Sequence, residues 1–287
     1  MNKNIQDFIF STFDSSFNFM RPVLSNYSEF SKSLSKQLMV KEGGNIQYSF
    51  DVEIDEIVKK KLTQFKITGN IFSEESGFFN NGENIYRVVY DPFCNSSLAS
   101  KTFHEAAMGI SIFSYNYEFI TSAILDYQTG IVAMVEDNVT NFYQVQNKEK
   151  INFNIVEKSD ISETLIVFTL ENQQERGGID KVSALLKLPK RLIISSGHIY
   201  WLKLAMGVVD IYLDPFGGEK LYEMFACSVA QHSGCVVTDI KGDKFDAVES
   251  LKLFEKNPDY IYYPVASKNE QLHSQIINEL SKTIWKI

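Results

Sequence analysis

The feature that most limits how this chain can fold is a change of rhythm midway along it. Between residues 85 and 146, short runs rich in β-branched and aromatic residues follow one another at 85–90, 108–114, 119–127, 131–136 and 142–145. Polar or Gly-containing breaks separate them, which is the pattern of short strands. Gln128-Thr129-Gly130 supplies turn residues between two of them, so the stretch predicts an antiparallel meander. After about residue 160 the pattern alternates instead. Strand-like runs at 164–170, 191–195, 211–213, 236–240 and 260–265 are interleaved with helix-like runs at 179–188, 199–209, 221–233, 248–254 and 270–285. Strands alternating with helices predict a layered α/β half. The polar stretch QNKEK at 146–150 is the natural boundary, which gives an N-terminal α+β half over 1–148 and a C-terminal α/β half over 149–287.

The first third reads as helices. Ile5, Phe8, Ile9, Phe13, Phe17 and Met20 recur near helical spacing within 4–35, and Pro22 is expected to bend or interrupt that run. A second helix is expected from near Asp51, with Val52, Ile54, Ile57, Val58 and Leu62 on its apolar side. Lys59, Lys60 and Lys61 fall in its last turns, where cations suit the helix dipole, but a plain solvated face is the favoured reason for them.

Composition narrows the function classes. Hydrophobic residues make up 44% of the chain, with 22 Phe and 14 Tyr spread throughout, enough to bury a core. The formal charge is 28 − 36 = −8 with no block of like charges. A net negative surface repels phosphate backbones, so nucleic acid is not the expected partner. A small anionic substrate remains compatible, because a bound metal reverses the local field. Cys94, Cys227 and Cys235 contain no C-x-x-C pair, which argues against a disulfide framework or a structural zinc site. The N-terminal stretch mixes Asp7 and Asp14 among its apolar residues and lacks a basic region followed by an unbroken apolar run. No window approaches the roughly 18 apolar residues of a bilayer span. A cytoplasmic protein without membrane attachment is expected.

Three segments place acidic residues where a strand ends or a helix begins: IFSEESG at 71–77, VVYDPFCNSS at 88–97, and LDPFGGEKLYE at 213–223. Carboxylates at strand ends, gathered from separate parts of the chain, suit hard divalent cations. Each segment alone has a bland reading: a solvated turn at Glu74-Glu75, a strand terminator at Asp91-Pro92, a helix start at Gly217-Gly218.

Their order and spacing resemble the inositol monophosphatase family, which includes fructose bisphosphatases and bisphosphate nucleotidases. That family carries G-E-E, then D-P-[IL]-D-G-[TS] after an apolar strand. A G-[ST]-A segment, an acidic-Pro turn and a helix bearing W-D follow much later. Here the corresponding stretches are SEESG, DPFCNSS, SSGHI, YLDPFGG and LYEMFACSVAQHSGCVVTDIKGDKFD, in the same order over roughly residues 36–246. The resemblance implies the layered α/β sandwich of the sugar phosphatases. It also implies Mg²⁺-dependent hydrolysis of a small phosphate monoester such as an inositol phosphate, a sugar phosphate or a nucleotide 3′-phosphate. Members often pair as dimers, so a homodimer is among the implied partners.

Residue by residue, the resemblance matches Glu74 to the glutamate that binds metal and orients water, and Asp91 to the aspartate that bridges two metals. The Phe93 carbonyl matches a further ligand. Ser96 matches the hydroxyl that helps activate the attacking water, Asp51 the aspartate paired with it, and Lys41 a basic residue near the site. The N–H groups of Asn95 and Ser96 would receive phosphate oxygens, Asp214 would meet substrate hydroxyls, and His198 falls in a segment that touches substrate.

The departures bear on the metal. The second aspartate of D-P-x-D is Cys94, the following Gly is Asn95, and the aspartate of W-D is Glu223. Cys94 removes a hard oxygen ligand. Mg²⁺ tolerates that poorly, whereas a thiolate favours softer ions such as Zn²⁺, so Mn²⁺ and Zn²⁺ are alternative cofactors. Glu223 keeps the charge but moves the carboxylate by roughly a bond length, which matters when ligand distances are fixed to about 0.2 Å. These changes weigh against the second cation and leave the first. Asn95 tolerates the left-handed backbone that a Gly at this position serves.

Two other phosphatase chemistries fail. A cysteine nucleophile needs an Arg a few residues on, and Cys94-Asn-Ser-Ser-Leu-Ala-Ser has none; an aspartyl-phosphate enzyme needs a carboxylate two positions after Asp91, where Phe93 stands. His104, His198 and His232 lack H-x-x-x-H or H-E-x-x-H spacing, so a zinc-protease reading fails as well. The rival expectation is a catalytically silent relative that keeps the fold for ligand or protein binding, which Cys94 favours.

Overall fold

The apolar spacing of the N-terminal segment is that of one helix face. In a computed structural model of the chain, Ile5, Phe8, Ile9, Phe13, Phe17 and Met20 are all buried along α1 (Lys3–Ser25). The structure describes residues 1–25, 37–40, 46–95, 105–169, 183 and 185–283. α1 runs through Pro22 to Ser25 without the interruption its sequence predicts. Only three residues of the helix follow the proline, so the backbone N–H it lacks is missed near the helix end rather than at its middle. The chain divides into two compact units, Met1–Ile151 and Asn152–Ile287.

In the first unit, β1 (Gln37–Val40) pairs with β2 (Ile46–Tyr48), and α2 (Ser49–Gln64) follows directly. Phe50, Asp51, Ile54, Asp55, Val58 and Leu62 form the buried stripe of α2, a helical period that includes two aspartates. Eight strands make one sheet: β3 (Gly69–Ser73), β4 (Gly77–Asn80), β5 (Tyr86–Cys94), β6 (Ala107–Ser114), β7 (Phe119–Asp126), β8 (Ile131–Glu136), β9 (Val139–Gln144) and β10 (Lys150–Ile151), in the order β10-β9-β8-β7-β6-β5-β3-β4. From β5 to β9 it is the expected antiparallel meander. The turn between β7 and β8 forms where 128–130 predicts it. The Asp126 carboxylate accepts from the Gln128 N–H at 2.8 Å, and Gly130 takes φ 70°. β3 is the exception to the pattern, since it runs parallel to β5. α1 and α2 cover one face of the sheet, burying Ile71, Val88, Tyr90, Ile110, Ile112, Leu125, Val132 and Met134 with their own apolar stripes.

In the second unit a five-stranded mixed sheet has the order β12-β11-β13-β17-β15. Its strands are β11 (Leu165–Phe168), β12 (Arg191–Ile194), β13 (Ile211–Leu213), β15 (Val236–Asp239) and β17 (Pro264–Ser267). β14 (Glu219–Lys220) and β16 (Ile261–Tyr262) make a separate two-stranded ladder. The helices are α3 (His198–Ala205), α4 (Leu221–Met224), α5 (Cys227–Gln231), α6 (Ala247–Lys256) and α7 (Glu270–Thr283). Ile276 and Leu280 of α7 pack on Ile166, Phe168, Ile211, Leu213 and Val265. On the opposite face Trp201 of α3 meets the Tyr212 ring at 4.7 Å. Helices therefore flank the sheet on both sides, and the layered α/β class holds.

Several expected elements differ in extent. The helix expected over 221–233 is two short ones separated by Phe225-Ala226, and the strand over 260–265 divides into β16 and β17. Of the helix expected over 179–188, the described part is a single 3₁₀ turn at Leu185–Lys187; residues 179–182 and 184 lie outside the described residues. No helix among the described residues is long and apolar enough to cross a membrane.

Candidate functional site

The site in the first unit is set by the one parallel pairing of its sheet. Ser73 of β3 lies in register with Tyr90 of β5. The next residues, Glu74 just past the end of β3 and Asp91 within β5, therefore follow at the same level of the sheet. The Glu74 N–H donates to the Tyr90 carbonyl at 3.1 Å and fixes that level. Register thus sets the backbone of two acidic residues distant in sequence at one level.

β5 does not stop at Asp91-Pro92, as its sequence predicts. It continues to Cys94 with a bulge, since Asp91 pairs with Gly109 and Cys94 with Ala107. One extra residue on the β5 side turns the backbone and re-aims the side chains around it. The bulge is held from three directions. The Phe93 N–H donates to Asp91 Oδ1 at 3.0 Å, and the Tyr127 hydroxyl donates to the Pro92 carbonyl at 2.8 Å. The Phe93 ring lies 5.0 Å from that of Tyr127 and 4.5 Å from that of Phe50. Asp91, Phe93 and Cys94 are all buried, and an Asp91 carboxylate oxygen and the Cys94 sulfur lie within 4.8 Å of each other. Asn95 follows at φ 70° with its side-chain amide donating to the Glu105 carbonyl at 3.0 Å, the left-handed geometry expected for it.

Asp51 joins this group through α2. Its Oδ2 accepts the Tyr48 N–H at 2.9 Å, closing the first turn of the helix. Burial raises the Tyr127 phenol pKa well above its ordinary value, a Ser16 hydrogen bond opposes this, and the fields of Asp91 and Asp51 add to the rise. Glu74, Asp51, Asp91, Phe93, Cys94 and Asn95 all belong to this unit, around the ends of β3 and β5 and the start of α2. Ser96, Lys41 and His104 lie outside the described residues.

A carboxylate absent from the sequence-based set underlies the arrangement. Asp55, 2% exposed, accepts from Ser73 Oγ at 2.5 Å, Tyr90 OH at 2.7 Å, Ser76 Oγ at 2.5 Å and Lys59 Nζ at 2.8 Å. Burial opposes its ionisation, but the hydrogen bonds from Lys59, Ser73, Ser76 and Tyr90 outweigh that and lower its pKa. Lys59 is accordingly half-buried against Asp55 and Glu56 rather than part of a plain solvated face, and Lys61 donates to Ser11 Oγ at 2.8 Å. The signal for Asp55 was present in the sequence. Asp51 and Asp55 sit one turn apart within the apolar stripe of a helix, where an unpaired carboxylate would be costly.

The remaining candidates belong to the second unit. Asp214 ends β13, and its Oδ1 accepts the N–H groups of Gly217 at 3.1 Å and Gly218 at 2.8 Å, which shapes the Asp-Pro-Phe-Gly-Gly turn. Glu223 on α4 returns a carboxylate oxygen to the Lys220 N–H at 3.0 Å. His198 opens α3 behind Gly197 at φ 96° and is buried. Burial lowers its pKa to about 4, against a hydrogen bond to the Glu223 main chain, so the imidazole is neutral at pH 7. Glu219, which sequence reasoning missed, is buried as well. It accepts from Trp201 Nε1 at 3.3 Å and from the Tyr212 hydroxyl. Burial and the Glu223 carboxylate push its pKa well up, the Tyr212 hydrogen bond opposes, and Asp214 adds to the rise. Its partners come from two different elements, α3 and β13, at no helical or strand spacing from it.

No protein-family model matches the chain, and no curated protein matches its sequence. Solved structures do match its fold. The extragenic suppressor protein suhB of Bartonella henselae is similar at a TM-score of 0.77 and 13% identity, over 97% of this chain and 98% of that one. The IMPase of Thermotoga maritima is similar at 0.70 and 15% identity, over 95% and 98%. A Pyrococcus horikoshii protein described as having similarities to inositol-1 monophosphatase is similar at 0.70 and 18% identity, over 96% of each chain. With several of the neighbouring structures being inositol monophosphatases, the chain has the inositol monophosphatase fold, in a sequence far diverged from theirs.

Proposed function

We propose that this chain hydrolyses a small phosphate monoester with the help of one divalent cation held by Glu74, Asp91 and the Phe93 carbonyl. The observation that carries this reading is the register of β3 on β5, which delivers Glu74 and Asp91 to one level beside the bulge. The donor set fits such an ion. Two carboxylates and a carbonyl are hard ligands, and the buried Cys94 thiol beside Asp91 shifts the preference from Mg²⁺ toward Mn²⁺ or Zn²⁺. A cation bound there supplies Lewis-acid polarisation of the phosphoryl oxygens and a more acidic water.

The chain's own residues do the rest. Asp51, together with Ser96, takes the proton from the attacking water, and the N–H groups of Asn95 and Ser96 hold phosphate oxygens. Glu74 orients the water for in-line attack. Asp214 and His198 as substrate contacts, Lys41 as a nearby cation and Glu223 as a further metal ligand rest on the family resemblance. So do the substrate classes (inositol phosphate, sugar phosphate, nucleotide 3′-phosphate) and a homodimer.

One observation favours a second reading, a silent binding protein: Cys94 is a buried thiol where the resemblance calls for a carboxylate. A panel of phosphate monoesters assayed with Mg²⁺, Mn²⁺ or Zn²⁺ separates the two. The enzyme reading expects turnover in the native chain that Asp91→Asn lowers by about 100-fold or more, the size of losing several kcal/mol of charge stabilisation. Turnover in Cys94→Asp alone, with none in the native chain under any cation, overturns it in favour of the silent reading.

A further inference from the structure

We propose that Asp55 is the positioning residue of this site: it sets Glu74 and Asp91 by gripping the residues beside each of them. This inference rests on the proposed metal site. Ser73 and Ser76 bracket Glu74-Glu75, Tyr90 immediately precedes Asp91, and the hydroxyls of all three donate to the one Asp55 carboxylate. The division between its two oxygens is even. Oδ1 takes Ser73 and Tyr90, one from each parallel strand, and so ties β3 to β5 one residue before both site carboxylates. Oδ2 takes Ser76 at the far side of the turn, and Lys59.

Four donors fill the acceptor capacity of a carboxylate, so Asp55 has nothing left to offer a ligand and acts through its neighbours. Ser73 Oγ also accepts the N–H groups of Glu75 at 3.1 Å and Ser76 at 3.3 Å. The turn carrying Glu74 is thereby held at its first residue from two sides. A ligand carboxylate gains affinity when the groups around it fix its orientation, and loss of such support typically costs about 10–100-fold in metal affinity.

The chemistry of the replacement makes the test selective. Asn at position 55 keeps the shape but turns one acceptor oxygen into an amide donor, which faces the hydroxyls and Lys59 with the wrong polarity. The full chain, Asp55→Asn and Ser76→Ala are titrated with Mn²⁺, free Mn²⁺ being read by electron paramagnetic resonance, and each is melted in parallel. Asp55→Asn is expected to bind Mn²⁺ about 10–100-fold more weakly while still melting cooperatively, and Ser76→Ala to bind several-fold more weakly. A role confined to stability would lower the melting temperature and leave Mn²⁺ affinity where it was, and that result overturns the proposal. Should Asp55→Asn fail to fold, Ser76→Ala decides, since it keeps the carboxylate and the core; unchanged affinity there overturns the proposal too. A native chain that takes up no Mn²⁺ sinks the metal site and the positioning role together. Native affinity matched by a folded Asp55→Asn sinks the positioning role alone.

Discussion

Of the departures from the pattern this chain resembles, the one at position 94 changes the donor atom itself. Replacing a carboxylate with the Cys94 thiol removes a hard donor beside Asp91 while the strand geometry that presents Asp91 is retained. Buried charge is handled differently at the other acidic positions. Asp55 stays ionised because four donors surround it, whereas burial and the neighbouring Glu223 push Glu219 toward its protonated form. The sign of the second effect is testable. A carboxyl whose pKa is raised by folding favours the fold fully below its ordinary 4.5, and that contribution fades as pH climbs through the raised value. Glu219→Gln keeps an acceptor for Trp201 and a donor for the Tyr212 oxygen, and it cannot ionise. Its urea midpoint relative to the native chain is expected to improve as pH rises above the ordinary 4.5. A midpoint that falls behind over that range would contradict the assignment. Part of this scale was legible in the sequence: Glu74 and Asp91 stood out at strand ends and Cys94 as a departure from the pattern the chain resembles, whereas Asp55 was passed over although it lies in an apolar stripe. Glu219 was not legible, because its burial comes from the meeting of Tyr212 and Trp201.

At the scale of elements, one parallel pair and one bulge set the backbone that carries Glu74 and Asp91, and neither was visible beforehand. Composition identifies IYRVVY as a strand but says nothing of which neighbour it joins, and a meander of hairpins gives no hint that β3 runs parallel to β5. The bulge was likewise hidden, since Asp91-Pro92 looked like a terminator and proline is tolerated in strands mainly at edges and bulges. Segments with long uninterrupted periods fared best: every apolar residue singled out in α1 up to Met20 is buried. Phe93 holds the bulge by filling the space between Phe50 and Tyr127. Phe93→Ala should therefore cost about 3–5 kcal/mol of stability in urea denaturation, the usual range for a buried Phe. A loss under about 1 kcal/mol would show that the hydrogen bonds of Asp91 and Tyr127 hold the bulge without the ring.

For the molecule as a whole, the fold persists at 13–18% identity to the solved structures compared, because burial pattern and topology tolerate wide substitution where volume and polarity are kept. A fold shared that broadly leaves function to the site. The change from strand runs to strand–helix alternation read the two architectures correctly, while substrate choice stays with side chains whose arrangement no periodicity encodes. The claim on which the account turns is that Glu74 and Asp91 hold one divalent cation between them. Diffraction from Mn²⁺-soaked crystals at the manganese absorption edge tests this directly. The account predicts an anomalous peak within about 2–2.6 Å of oxygens from both carboxylates, lost in Asp91→Asn. Manganese bound only elsewhere, or at Asp91 with Glu74 turned away, would contradict it.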